Sequence, residues 1–190
     1  FDRTPSFPAV IRPIPEVIEA LRSLRGEVDQ ALSSQQGTGP AWFQPNRPVL
    51  GLMVNRDLPL ADLSRYVISA RNAGYERFAL IGRRDDGRLV SVLTDFGSLR
   101  SGPNDRSLPR ARVGPESVSC QSRSALPVEV PRDEVERVGE ALLPHLGRGT
   151  SVAVVQGRPM MPYRLVFPSI ASIRAVLQDP TASIHVLLPP

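Results

Sequence analysis

The sequence predicts a mixed α/β (α+β) fold made of two similar small units, each a mixed sheet with amphipathic helices packed on one face. Three observations predict it. Apolar runs of strand length alternate with segments whose apolar residues recur at three- and four-residue steps. The order strand, turn, helix, strand occurs twice, in residues 49–82 and 151–188. An Asp-Gly hairpin signal follows the first copy, so an antiparallel strand joins the parallel pair that each strand–helix–strand crossover requires.

The first helical signal follows Pro13 and Pro15, with Val17, Ile18, Leu21, Leu24, Val28 and Leu32 on one face and Glu16, Glu19, Arg22, Arg25 and Glu27 between them. Residues 33–48 read as a connecting loop that carries Trp42 and Phe43, two rings suited to plugging a core edge. Val49 to Val54 is a strand that leads into Asn55-Arg56-Asp57-Leu58-Pro59, where Asp57 and Pro59 are expected to open a helix. Leu60, Leu63, Val67 and Ala70 line the buried face of that helix, and Gly74 supplies its left-handed stop. Phe78 to Ile81 is the next strand. Arg83-Arg84-Asp85-Asp86-Gly87-Arg88 turns it back into Leu89 to Leu93.

Residues 97–115 are rich in Ser, Gly, Pro, Asn, Asp and Arg and read as a linker or long loop, which divides the chain into a first unit at 1–96 and a second at 116–190. In the second unit Val118 and Leu126 to Val130 give strand signals. Residues 133–146 read as a helix with Val135, Val138, Leu142, Leu143 and Leu146 on one side, closed by Gly147. Val152 to Val155 is a β-branched strand. Ile170, Ile173, Val176 and Leu177 mark a helix, and Pro168 requires either that this helix start close to Pro168 or that residues 163–167 be an extra strand. Ile184 to Leu188 is the last strand. If the halves share a sheet or dimerise, the strand at Ile81 or Leu187 is the expected seam, because an unpaired edge invites a further strand.

Composition narrows the function classes. All 23 basic residues are arginine, set among 19 acids for a net charge of +4. No basic run of five or more occurs, so nothing points to nucleic acid. No apolar run approaches the roughly 20 residues of a membrane span. Cys120 is the only cysteine, which rules out an internal disulfide.

The sequence holds no glycine-rich phosphate loop, no Gly-x-Ser-x-Gly elbow and no paired-cysteine metal motif, and the expectation is a non-enzymatic protein with no catalytic residue, cofactor or metal. His145 and His185 lack the companions of a ligand or base. Asp85 with Asp86, and Asp133 with Glu134 and Glu136, suit a turn and the first turn of a helix as solvated groups. Met160 and Met161 with Tyr163 and Phe167 fit either a soft recognition surface or an irregular core gap.

The segment Asn55-Arg56-Asp57-Leu58-Pro59-Leu60, the helix after it, Ala73-Gly74-Tyr75 and the strand Phe78-Ala79-Leu80-Ile81-Gly82 together resemble the periplasmic domain of the ExbD/TolR biopolymer-transport family. The second copy is similar through Val152 to Val155, Arg158, Met161-Pro162-Tyr163 and Ile184 to Leu187. It departs by having Gln178-Asp179-Pro180 in place of the alanine-glycine step. Family members carry a membrane helix with a proton-linked aspartate; nothing in this sequence matches it, and no ion-conducting residue carries over.

The resemblance covers about half the chain. It implies a cell-envelope (periplasmic) interaction module. Such a module dimerises or docks on the protein partners of a proton-driven motor, with peptidoglycan or a TonB-like protein as further contacts. On this reading the partner-facing residues are Arg56 and Asp57 in the first turn, Arg158 and Tyr163 in the second, and Phe78, Leu80, Ile184 and Val186 on the closing strands. The alternative expectation is a cytoplasmic ligand-sensing regulatory domain that binds a metabolite between the two units.

Overall fold

Side chains alternate across a strand, so a sheet covered on one side buries every second residue. The computed structural model describes residues 12–34, 49–83, 87–98, 109–122, 126–145, 154–177 and 184–188. It contains eight strands: β1 (Val49–Met53), β2 (Arg77–Arg83), β3 (Leu89–Ser98), β4 (Arg110–Val113), β5 (Ser117–Gln121), β6 (Val128–Pro131), β7 (Val154–Gln156) and β8 (Ile184–Leu188), with the alternation clear in β2, β4 and β5. They form one mixed sheet in the order β1-β2-β3-β8-β7-β4-β5-β6. The register sets Phe96, Val186, Val155, Ala111 and Cys120 in one row across five neighbouring strands, and all five are buried in a single core. The covering helices are α1 (Pro15–Ser34), α2 (Leu60–Asn72), α3 (Val138–Leu142) and α4 (Phe167–Val176).

Both expected crossovers are present: β1 and β2 are parallel and joined through α2, and β7 and β8 are parallel and joined through α4. They contribute to one sheet and not to two. The joint is β3, whose ten residues are shared between the halves: Leu89 to Thr94 pair antiparallel with β2, and Thr94 to Ser98 pair parallel with β8. Thr94 has a partner on both sides and is fully buried, with its hydroxyl donated to the Val92 carbonyl at 2.9 Å. The seam is therefore β3 against β8, with Leu187 opposite Gly97. Ile81 lies in an internal strand, and the sheet edges are β1 and β6. The stretch 97–115, expected as a linker, holds the end of β3 and all of β4. Trp42, Phe43, Asp85, Asp86, Leu146 and residues 178–180 lie outside the described residues.

The stop after α2 is as the sequence predicts. Gly74 has φ +90°, and the Tyr75 and Gly74 amides donate to the Ala70 and Arg71 carbonyls at 3.0 and 2.9 Å, the bonding of a Schellman motif. Arginines from α1 complete it: Arg22 reaches the Asn72 carbonyl and Arg25 the Gly74 carbonyl, which places cations at the negative end of the α2 dipole. Leu24, expected on the buried face of α1, is instead 43% exposed. Among the described side chains of that helix, Ile18 and Leu21 pack against the core.

The helix expected over 133–146 is broken into a 3-10 turn at Arg132–Arg137, the five residues of α3 and a second 3-10 turn at Leu143–His145. Pro144 explains the second break, because it has no amide proton and its ring meets the carbonyl four residues back. Glu134 leaves helical geometry at φ −113°, ψ 27°. In the second crossover the proline resolves as a late start: a 3-10 turn at Tyr163–Leu165 precedes α4, and Pro168 occupies the first turn, where the missing proton costs nothing.

Each crossover helix carries one buried serine that ties down the preceding helical segment. The Ser69 hydroxyl accepts the Ile14 amide at 2.7 Å and donates to Arg65 O. The Ser172 hydroxyl accepts the Gly139 amide at 2.8 Å and donates to Glu136 O at 2.6 Å. Gly139 is required there, since any Cβ would overlap the Ser172 carbonyl. We expect Ser172→Ala to cost about 1–3 kcal/mol in urea unfolding, because it orphans a buried amide. The Ser69 bond, whose donor Ile14 is half-buried, should cost less. A Ser172→Ala loss indistinguishable from zero would refute the role assigned to this hydroxyl.

Candidate functional site

The eight residues expected to face a partner separate by burial. Phe78, Leu80 and Ile184 are fully buried, and Val186 and Tyr163 nearly so. They fail as surface contacts for a physical reason: even-numbered positions of β2 and β8 point under the helices, where Phe78 meets Phe96 edge-on at 5.3 Å. Arg56, Asp57 and Arg158 are exposed. They lie on the two turns that follow β1 and β7, and the structure brings those turns together.

Pro59 and Pro162 face each other in an isolated antiparallel bridge. Around it the Leu60 amide donates to Met161 O at 3.0 Å, and the Tyr163 amide donates to Leu58 O at 2.8 Å. Farther out the Ala61 amide donates to Pro159 O at 2.9 Å, and the Arg164 amide to Arg56 O at 2.7 Å. Each pair of bonds becomes the other when 103 is added to the first-half positions and subtracted from the second-half positions. Neither α2 nor the Tyr163 turn has a side-chain cap, so these carbonyls serve as the caps, each helical start being satisfied by the other half. Asp57, expected to open α2, accepts an ion pair from Arg164 across the same junction, and its amide donates to the Asn55 side chain at 2.9 Å.

Several polar and titratable groups away from the turn surface are buried. The Tyr163 hydroxyl is buried with no hydrogen-bond partner among the described residues, and burial pushes its pKa upward. Arg132 donates to Leu165 O from a half-buried position, where desolvation lowers its pKa. The Cys120 thiol is fully buried, and desolvation first, then the Glu129 charge, raise it from 9.0 to about 11. A thiol held protonated has no nucleophile to offer at neutral pH. His145 is buried with Nδ1 2.9 Å from the Ser122 hydroxyl, and His185 lies 4.0 Å from Asp95. No group of three or more potential metal ligands occurs among the described residues. No described helix is long and apolar enough to cross a membrane.

The surface that the sequence reading missed is the other side of the sheet. Among the described residues no helix packs there. At the β1–β3 end it shows Val49, Met53 and Leu89, which are 44, 78 and 66% exposed, with half-buried Ala79, Ile81 and Leu93 between them. The register ties them together: Met53 lies opposite Ile81, Ala79 opposite Leu93, and Leu89 opposite Arg83. The signal was present in the sequence as strands apolar at both parities, a pattern that fixes neither face until the partner strands are known.

Two outcomes test this description. Tyr163→Phe should leave stability unchanged or raise it slightly, since it removes an unpaired buried hydroxyl, whereas Tyr163→Ala should cost about 3–5 kcal/mol in the same unfolding assay. For Cys120 the folded pKa is raised, so the unfolded state loses its proton first. Stability should fall as pH climbs from about 9 toward 11, and Cys120→Ala should flatten that part of the pH profile. Comparison of the chain with protein-family models, with curated proteins and with solved structures finds no match.

Proposed function

We propose that this protein is an interaction module that docks a protein partner on the open face of its sheet at the β1–β3 end. The carrying observation is the apolar stretch of Val49, Met53, Ile81 and Leu89 at an unpaired sheet edge, bordered by Arg77 and Arg83, which form no ion pair among the described residues. Exposed apolar surface beside an edge strand marks a contact site, and arginines unpaired among the described residues at its border select a partner segment flanked by acids. Backbone groups along the outer side of β1 supply hydrogen bonds for an added strand.

The reciprocal bonds between the two turns, together with Ser69 and Ser172 at the same spacing of 103 residues, support reading the two halves as copies of one small unit. An origin in a dimer joined at Pro59 and Pro162 accounts for both. The placement in the cell envelope, beside a proton-driven motor, rests on the resemblance to the ExbD/TolR family alone.

A photo-crosslinking residue at position 53 or 89 of the full-length protein, expressed in its own cell, should give a discrete adduct with one envelope protein. The same residue at exposed position 23 on α1 should not. Equal labelling at all three positions would sink the docking surface. Recovery of the chain solely from the cytosolic fraction would sink the envelope assignment while leaving the surface intact.

A further inference from the structure

The other end of the open face carries a concavity of about 330 Å³ bounded by Arg112, Ser117, Ser119, Glu129, Gln156 and Arg158. The strand register assembles it. Glu129 on β6 lies opposite Ser119 on β5, Ser119 opposite Arg112 on β4, and Arg112 opposite Gln156 on β7, so four neighbouring strands present one row of polar side chains on one face. Arg158 follows two residues after Gln156, beyond the end of β7. The concavity sits at the carboxyl ends of the parallel strands β4 and β7, whose chains leave in opposite directions, β4 turning into β5 and β7 crossing over to β8. Open α/β sheets bind small molecules in crevices outside the carboxyl ends of their parallel strands.

The charges in this concavity are unbalanced. Neither Arg112 nor Arg158 takes part in an ion pair or side-chain hydrogen bond among the described residues. The one acid, Glu129, is engaged instead by Ser117, whose hydroxyl donates to it at 2.8 Å. The Ser119 hydroxyl and the Gln156 amide are likewise unengaged among the described residues, and both residues are half-buried. Two guanidinium groups with two neutral donors offer several N–H and O–H groups to the multiple acceptor oxygens of an oxyanion.

We propose that this concavity binds the oxyanion of a small molecule, a carboxylate or phosphate group, between Arg112 and Arg158, with Ser119 and Gln156 donating to it. Glu129 lies on the far side of the row and disfavours excess negative charge, so the site selects a ligand of low net charge or one with a donor group placed toward Glu129. This site is separate from the docking surface of the preceding section and goes beyond it.

The test is a heteronuclear NMR titration of the intact chain with inorganic phosphate and, separately, with succinate, in a sodium chloride background that screens weak surface attraction. Saturable shifts of the Gly114, Ser119 and Gly157 amides with either probe are expected, and the probe that binds identifies the source. Arg112→Gln and Arg158→Gln should each weaken binding about tenfold or more, since a charge-assisted hydrogen bond is lost. Glu129→Gln should tighten it. Arg158 lies on an exposed turn, so its substitution keeps the test valid if the Arg112 variant fails to fold. Absence of saturation with both probes overturns the proposal. So does equal weakening in Arg137→Gln, a control at an arginine already paired with Glu134.

Discussion

The structure depends on the exchange of backbone hydrogen bonds between the two proline turns. A helix start leaves several amides without partners, and proteins usually satisfy them with a serine, threonine or aspartate side chain. Here Leu60 and Ala61 donate to carbonyls of the second half, while Tyr163 and Arg164 donate to carbonyls of the first. Each half therefore completes the other, and separating them would expose four amides and their acceptors together. Pro59 and Pro162 fit this arrangement, because each contributes extended backbone just before its helical start and no amide that would itself need a partner.

The same constraint shapes the sheet. With the turns held together, the two crossovers share β3, which continues past the end of its hairpin with β2 to pair with β8. A strand used by both halves removes two edges that separate units would have exposed, and leaves only β1 and β6 at the margins. It also merges the two apolar faces into one core, in which Phe78 and Val186 belong to the same cluster. Two small units would each have buried a smaller fraction of their surface than the joined chain does.

Putting every described helix on one side has a chemical consequence on the other. Cys120, Tyr163 and His145 are buried, and desolvation holds the thiol and phenol protonated. The uncovered side is divided in character. Its β1–β3 end is apolar and bordered by arginine, and its β4–β6 end is a polar row with two guanidinium groups unpaired among the described residues.

The sequence by itself determined what depends on near neighbours. Residue period placed the helix over Leu60 to Ala70 and the strands around Phe78, Val118, Val130 and Ile184. Gly74 and Gly87 announced their positive φ, and the repeat of strand, turn, helix and strand was legible because each copy keeps its own period. Where a local rule was in conflict the reading was incomplete: Pro144 breaks a helix that the apolar spacing of Val135, Val138 and Leu142 predicted to continue. Tertiary structure alone decided the strand order, and with it which parity of each strand is buried. That is why Phe78, Leu80, Ile184 and Val186 proved to be core while Met53 and Leu89 reached the surface. It also decided that Arg112, Gln156 and Arg158 share one concavity, since residues more than forty positions apart become neighbours only through hydrogen bonds that no local pattern encodes.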